Sequence, residues 1–111
     1  MSTLRNRVQL LGNVGQDPEI KNLEGGKKLA NISLATKEVY YKENGDKVED
    51  TQWHRLTAWG KTAEIIEKYV VKGKQISVEG KLSYRNYEDK NGEKRYITEI
   101  TISDLQLFGK N

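Results

Sequence analysis

Two tryptophans flank an arginine in the run Thr51-Gln52-Trp53-His54-Arg55-Leu56-Thr57-Ala58-Trp59-Gly60-Lys61. An indole offers a flat π-face, and a guanidinium offers positive charge with a rigid fork of donors. Their chemistry in combination is stacking plus anion attraction, which is how unpaired bases are held. The run is rich in aromatic and β-branched residues and is stopped by Gly60, so it reads as a β-strand. Side chains alternate along a strand. Trp53, Arg55, Thr57 and Trp59 therefore share one face, and His54, Leu56 and Ala58 share the other. Leu56 and Ala58 mark the second face as the core side, and Arg55 keeps the first in water. Two solvent-facing indoles are a costly surface unless something stacks on them. Six steps of about 3.3 Å separate them by roughly 20 Å, a span that suits an extended ligand of several units. The plainer alternative is that one Trp covers a neighbouring strand. It accounts for a single indole better than for two with Arg55 between them.

The elements that must position this strand follow from the rest of the chain. Its 111 residues make one domain by size, with room for a real core. Charged residues are 32% and hydrophobic ones only 35%, so the core is compact and the surface heavily charged. Nineteen Lys and Arg against sixteen Asp and Glu leave a net charge of +3, too small a surplus to establish a polyanionic partner. The absence of Cys excludes a disulfide framework and a thiolate metal site. His54 is the one histidine, which argues against zinc. No apolar run has the length of a membrane span or a signal h-region, and the expected address is the cytosol.

In chain order, Leu4 to Asn13 reads as a first strand with Val8 and Leu10 on one face. Gly12, Gly15 and Asp17-Pro18 end it in a turn. Ile20 to Leu23 fits a short edge strand. Leu29 to Val39 is a second long strand, with Ala30, Ile32 and Leu34 inward and the small Asn31, Ser33 and Ala35 outward. A charged loop from Tyr40 to Asp50 turns at Asn44-Gly45. Thr62 to Val71 is the one helix expected, with Thr62 as N-cap, a buried stripe of Ala63, Ile66, Tyr69 and Val70, and Lys72-Gly73 at its end. Gln75 to Tyr84 is a fourth strand with Ile76, Val78 and Leu82 inward, and Gly80 fits a bend or bulge. A second hairpin turns at Asn91-Gly92. Arg95 to Phe108 closes the series, with Ile100 and Ile102 on one face.

Three strands, one helix and two strands, with long hairpins after the second and fourth strands, is the order of the OB-fold. That fold is a five-stranded Greek-key barrel, here all-β but for a helix between strands three and four. Its strand two and three face binds oligonucleotides or oligosaccharides, and that is where Trp53, Arg55 and Trp59 fall.

Several segments go further. Asn6-Arg7-Val8-Gln9-Leu10-Leu11-Gly12-Asn13-Val14-Gly15-Gln16-Asp17-Pro18-Glu19, Ala30-Asn31-Ile32-Ser33-Leu34-Ala35-Thr36, Thr51-Gln52-Trp53-His54-Arg55 and Val78-Glu79-Gly80-Lys81-Leu82 span nearly the whole chain. With the pattern around Tyr96, Thr98 and Glu99, they resemble the bacterial single-stranded DNA-binding proteins. The Gly-Asn-x-Gly-x-Asp-Pro-Glu and Trp-His-Arg motifs are the specific ones.

The resemblance implies sequence-independent binding of single-stranded DNA during replication, recombination and repair, with no cofactor, metal or catalysis. Its stacking aromatics fall on Tyr40, Trp53, Trp59 and Tyr87. Tyr stands for the commoner Trp at 40 and 87, and Trp for Phe at 59; all keep a π-face. Its phosphate contacts fall on Arg7, Lys61, Lys72 and Arg85, with Arg55 added. It implies a cytoplasmic homotetramer on the nucleoid, with Asn6, Val8, Leu10 and His54 at subunit interfaces, although a core or strand-edge role fits the parity of His54 equally well. The domain is expected over 1–109 with a stub at 110–111. The linker and acidic tip usual in the family, and the protein partners they recruit, are not expected from these residues. Two other classes remain open on the residues alone: an RNA-binding OB module, and a structural oligomer with its aromatics buried between subunits.

Overall fold

A computed structural model describes residues 4–108; the stub at 110–111 lies outside them. The strands are β1 (Val8–Val14), β2 (Glu19–Asn22), β3 (Lys28–Tyr41), β4 (Lys47–Trp59), β5 (Gln75–Glu88) and β6 (Lys94–Leu107), with one α-helix, α1 (Gly60–Tyr69), between β4 and β5. They form one sheet in the order β1-β5-β6-β4-β3-β2, and a further β1–β3 pairing closes β1, β5, β6, β4 and β3 into a barrel. The β4–β6 contact is parallel and the other pairings are antiparallel. This is the five-stranded OB barrel expected from the element order, with β2 added on the edge of β3.

The core is aliphatic. Leu34, Leu56, Ile66, Ile76 and Val78 are its largest fully buried side chains, and no aromatic residue belongs to it. Closure brings backbones very close. A Cβ on Gly12 would lie 2.2 Å from the carbonyl oxygen of Ala35, where β1 meets β3. At the other corner the β5–β6 register slips between Glu79 and Gly80, leaving Ser103 as the extra residue. The Ser103 hydroxyl donates to the Glu79 carbonyl at 3.1 Å, so the break in the ladder keeps a partner. The bend expected at Gly80 is this bulge.

Several sequence expectations need correction. The first strand starts at Val8, because Leu4 to Asn6 lie in a turn and bend. Tyr40, Tyr41 and the 47–50 segment belong to strands, so β3 and β4 pair continuously from Leu29–Trp59 to Tyr41–Lys47. β5 and β6 likewise continue outward to Glu88–Lys94. Charged residues here did not signal loops, because both faces of a two-stranded arm are wet. The helix starts two residues early, at Gly60 with φ 60°, and Trp59 rather than Thr62 is its N-cap, without a side-chain capping bond. Direct strand-to-helix passage leaves no room for a polar cap. Ala63, Ile66 and Val70 are buried as expected, but Tyr69 is exposed at the helix end. Leu82 has the inward parity yet is exposed, since it lies beyond the bulge on the outgoing arm.

The hairpin tips use their glycines differently from a two-residue Asn-Gly turn. At both tips the glycine follows the turn, accepting the left-handed conformation (Gly45 φ 90°, Gly92 φ 77°), and the Asn before it does not. At the second tip Asp89 accepts the N–H groups of Asn91 and Glu93 at 2.9 and 3.0 Å and the Arg95 Nε–H at 2.9 Å. Arg95, then the Glu93 amide, holds the Asp89 carboxyl below its ordinary value.

Leu56→Ala is expected to lower stability by roughly 2–5 kcal/mol, as for other truncated core leucines. Denaturant unfolding checks this, and a loss under 1 kcal/mol would contradict the packing described. A lowered carboxyl contributes stability above its unfolded-state value and loses it as pH falls through the folded value. The 89–93 tip should therefore loosen before the barrel below about pH 4. Amide shifts of Asn91 and Glu93 that change only together with those of core residues would count against it.

Candidate nucleic-acid interface

The β3–β4 register builds the surface. Trp59, Thr57, Arg55 and Trp53 stand opposite Leu29, Asn31, Ser33 and Ala35. Small neighbours at 33 and 35 leave the guanidinium and one indole standing clear of the sheet. Trp53 is 63% exposed and Trp59 47%, whereas Leu56 and Ala58 are fully buried. Thr57 departs from this pattern: it shares the outer face but is buried, with its hydroxyl 3.5 Å from Asn31 Oδ1. His54 is half-buried on the inner side, and its Nε2 lies 2.8 Å from Thr36 Oγ1.

Trp53 has a seat that no pattern along β4 reveals. The end of β1 crosses β3, and the Gly15 N–H donates to the Ser33 carbonyl at 2.9 Å. Gly15 then lies against the indole, where a Cβ would come within 2.4 Å of the ring. The ring thus rests on bare backbone at one contact and stays largely open to water elsewhere. Next to it, a cleft of about 350 Å³ is lined by Asn31, Ser33, Arg55, Arg85 and Glu99, with Gln16, Asp17 and Glu19 at its rim. The Asp17 carboxylate accepts the Lys72 N–H at 2.8 Å, tying this rim to the end of α1.

Apart from Tyr69 at the end of α1 and Phe108 after β6, the other aromatics are spread over both sides of the two arms. All six tyrosines are exposed, so with the tryptophans eight aromatic residues face water. Tyr87 follows Arg85 by two residues on β5 and shares its side. Tyr40 pairs with Val48 and has the opposite pleat parity from Trp53, whereas Tyr41 has the Trp53 parity. Tyr84 and Tyr96 occupy the side of the second arm opposite Tyr87. The resemblance implies Tyr40 as the stacking position on this arm; the register puts its neighbour Tyr41 on the pleat side of Trp53.

The five basic positions fall into two groups. Arg55, Lys61 and Lys72 are exposed, and among the described residues their side chains have no hydrogen-bonding or ionic partner. Arg7 pairs with Glu79 at 2.6 Å, and Arg85 grips Glu99 through two bonds of 3.2 Å. On the first arm Lys37 and Lys47 both reach Glu49, at 3.0 and 3.5 Å, and chiefly Lys37 holds that carboxyl below its ordinary value. Two of the three lysines of that arm are therefore held by one carboxylate, and Lys42 at its tip is exposed.

The residues expected at subunit interfaces do not form one cluster within the chain. The Asn6 amide is used internally: it donates to the Leu82 carbonyl at 3.0 Å and accepts the Leu82 N–H at 2.8 Å, extending the β1–β5 ladder with a side chain. Val8 and Leu10 pack partly against the core. Val8 to Gly12 pair with β5 along one edge, and among the described residues their other edge has no strand partner.

The sequence model of the Single-strand binding protein family matches residues 5–108. The chain belongs to this family. Among relatives, it is 43% identical over 105 residues to "Single-stranded DNA-binding protein 1" of Chlorobaculum tepidum, covering 94% of this chain and 65% of that protein. It is 44% identical over 106 residues to the protein of the same name from Xylella fastidiosa, covering 95% of this chain and 78% of the relative. It therefore spans about two thirds to three quarters of these relatives. Among solved structures, the Plasmodium falciparum SSB complex with ssDNA superimposes with a TM-score of 0.87 at 35% identity, covering 98% of this chain and 99% of the other. A deletion mutant of the Thermus aquaticus single-stranded DNA binding protein gives a TM-score of 0.81 at 29% identity, over 94% of this chain and 50% of that one.

Trp53→Ala and Trp59→Ala should each weaken binding of an oligo(dT) by the worth of one stacked base, about 1–3 kcal/mol, with the fold kept. If both changes unfold the protein while Leu56→Ala weakens DNA binding in a stable one, the faces of β4 are assigned the wrong way round. Gly15→Val should act like a partial loss of Trp53, since any side chain there displaces the ring; quenching and affinity at the level of the unsubstituted chain would remove Gly15 from the site.

Proposed function

We propose that this protein binds single-stranded DNA without regard to sequence, coating strands exposed in replication, recombination and repair. The observation that carries this reading is the pair of exposed indoles on β4 with Arg55, which has no partner among the described residues, between them. Every base has a π-face, so stacking tolerates any sequence, while cations neutralise phosphates and release counterions. Family membership and the DNA-bound Plasmodium structure support it. The role is binding rather than turnover: Trp53, Arg55 and Trp59 are two stackers and a cation, a set suited to holding a strand. Tyr87, and Tyr40 or Tyr41 on the first arm, extend the stacking path, and Lys61 and Lys72 with Arg55 supply the first phosphate contacts. The protein works as a cytoplasmic homotetramer on the nucleoid; the unpartnered edge of β1 at Val8 to Gly12 supports assembly through that strand, since an open edge is a ready template for pairing.

Titration of intrinsic tryptophan fluorescence with poly(dT), in competition with matched RNA, tests the reading. Quenching at sub-micromolar DNA with RNA a weak competitor is expected; no quenching would overturn it. Three phosphate contacts predict a slope of log affinity on log salt of about −2, at about −0.7 per contact on single strands. An affinity insensitive to salt would remove the electrostatic half of the mechanism. Light scattering at micromolar protein should give four times the 12.7 kDa chain mass; a monomer mass would refute the tetramer.

A further inference from the structure

Arg85 sits in the cleft beside the tryptophan face, but its charge is already answered. Its Nε–H and one Nη–H donate to the two carboxylate oxygens of Glu99, each at 3.2 Å. The two partners are not equally placed. The Glu99 side chain, on β6, is 10% exposed, whereas the Arg85 side chain is 58% exposed, and both line the cleft. Two of the five guanidinium donors are engaged, leaving three on the wet side. The bonds are long for a charge-assisted fork, which favours about 2.7–2.9 Å. A carboxylate gripping a guanidinium through two oxygens has the form of a phosphate doing the same. Arg55 lines the same cleft without a partner among the described residues.

We infer that Glu99 is an affinity-limiting residue: its carboxylate occupies the place of a backbone phosphate on Arg85 and must be displaced or outcompeted for that arginine to contribute to binding. This rests on the single-strand binding reading above and adds a regulated contact to it. The consequence is a weaker, faster-releasing grip than the basic residues alone would give. A protein that coats strands which polymerases and nucleases must later reach is served by such a grip. The ligand chemistry is a phosphodiester; no base contact is involved, so the effect is independent of sequence.

The test is Glu99→Gln, which keeps shape and removes the charge, in a cycle with Arg85→Met, titrated with dT oligomers over a salt series. Glu99→Gln should bind about fivefold tighter at low salt, the upper range for one partly exposed ion pair. Its salt slope should steepen by about 0.7, the value of one added contact. In the Arg85→Met background the same change should do much less, because the arginine it frees is gone. Glu24→Gln, in the turn after β2, controls for the loss of one negative charge anywhere. Melting curves establish that each variant is folded, and the Arg85 Nε–H resonance of the unsubstituted protein, which should shift on adding DNA, reads the exchange of partners without any substitution. Weaker binding by Glu99→Gln would overturn the inference and make Glu99 a positioning residue for Arg85. Equal tightening with and without Arg85, or by Glu24→Gln, would overturn it as a general charge effect. If the unsubstituted protein fails to quench with DNA, the binding reading falls and this inference with it; if it quenches normally and Glu99→Gln is no tighter, only this inference falls.

Discussion

The pleat of β4 is the constraint on which the rest depends. Along one strand, successive side chains must go to opposite faces, and one of those faces is sealed inside a barrel whose core is aliphatic. Leu56 and Ala58 fill that interior, and Trp53, Arg55 and Trp59 are left outside by the same geometry. A one-residue slip in the β3–β4 register would bury the arginine and expose the leucine, so the core and the candidate binding face fix each other. The all-aliphatic core is the other half of this arrangement: the chain keeps its tryptophans and tyrosines at the surface and packs Val, Ile, Leu and Ala within.

Closure of the barrel supplies what β4 alone lacks. β1 can reach β3 only because Gly12 lets backbone meet backbone, and three residues later Gly15 arrives beneath Trp53. The indole thereby gains a seat without losing its accessible surface. Beyond the barrel, β3–β4 and β5–β6 run on as two-stranded arms whose faces are both wet. Their stability rests on ladder bonds and on side-chain clamps such as Asp89 with Arg95, and Glu49 with Lys37. These arms carry Tyr41, Tyr87 and their neighbours out past the core, enlarging the surface a flexible strand can cover.

The electrostatics are more restrained than a basic single-strand binder would suggest. Several cations on or near the face are held by carboxylates of the same chain, and the modest surplus of charge overall matches this local pairing. On the proposed reading, affinity would be distributed between stacking, which ignores sequence and salt, and the few cations without a partner among the described residues, which respond to salt.

Alternation within β4, the turn glycines, the bulge at Gly80 and the order of elements were legible in the chain itself, because each depends on side-chain period or local backbone freedom. So was family membership, carried by motifs spread along nearly the whole length. Strand ends were not legible: on an arm exposed on both faces, polar residues satisfy a strand as well as a loop, and burial no longer imposes a period. Nor did the chain show which cations are free, that Tyr41 rather than Tyr40 shares the pleat side of Trp53, or that Gly15 underlies an indole 38 residues away in sequence. Those facts depend on register and closure, which join residues distant along the chain, and a pattern read one strand at a time carries no information about which neighbours the fold will bring beside it.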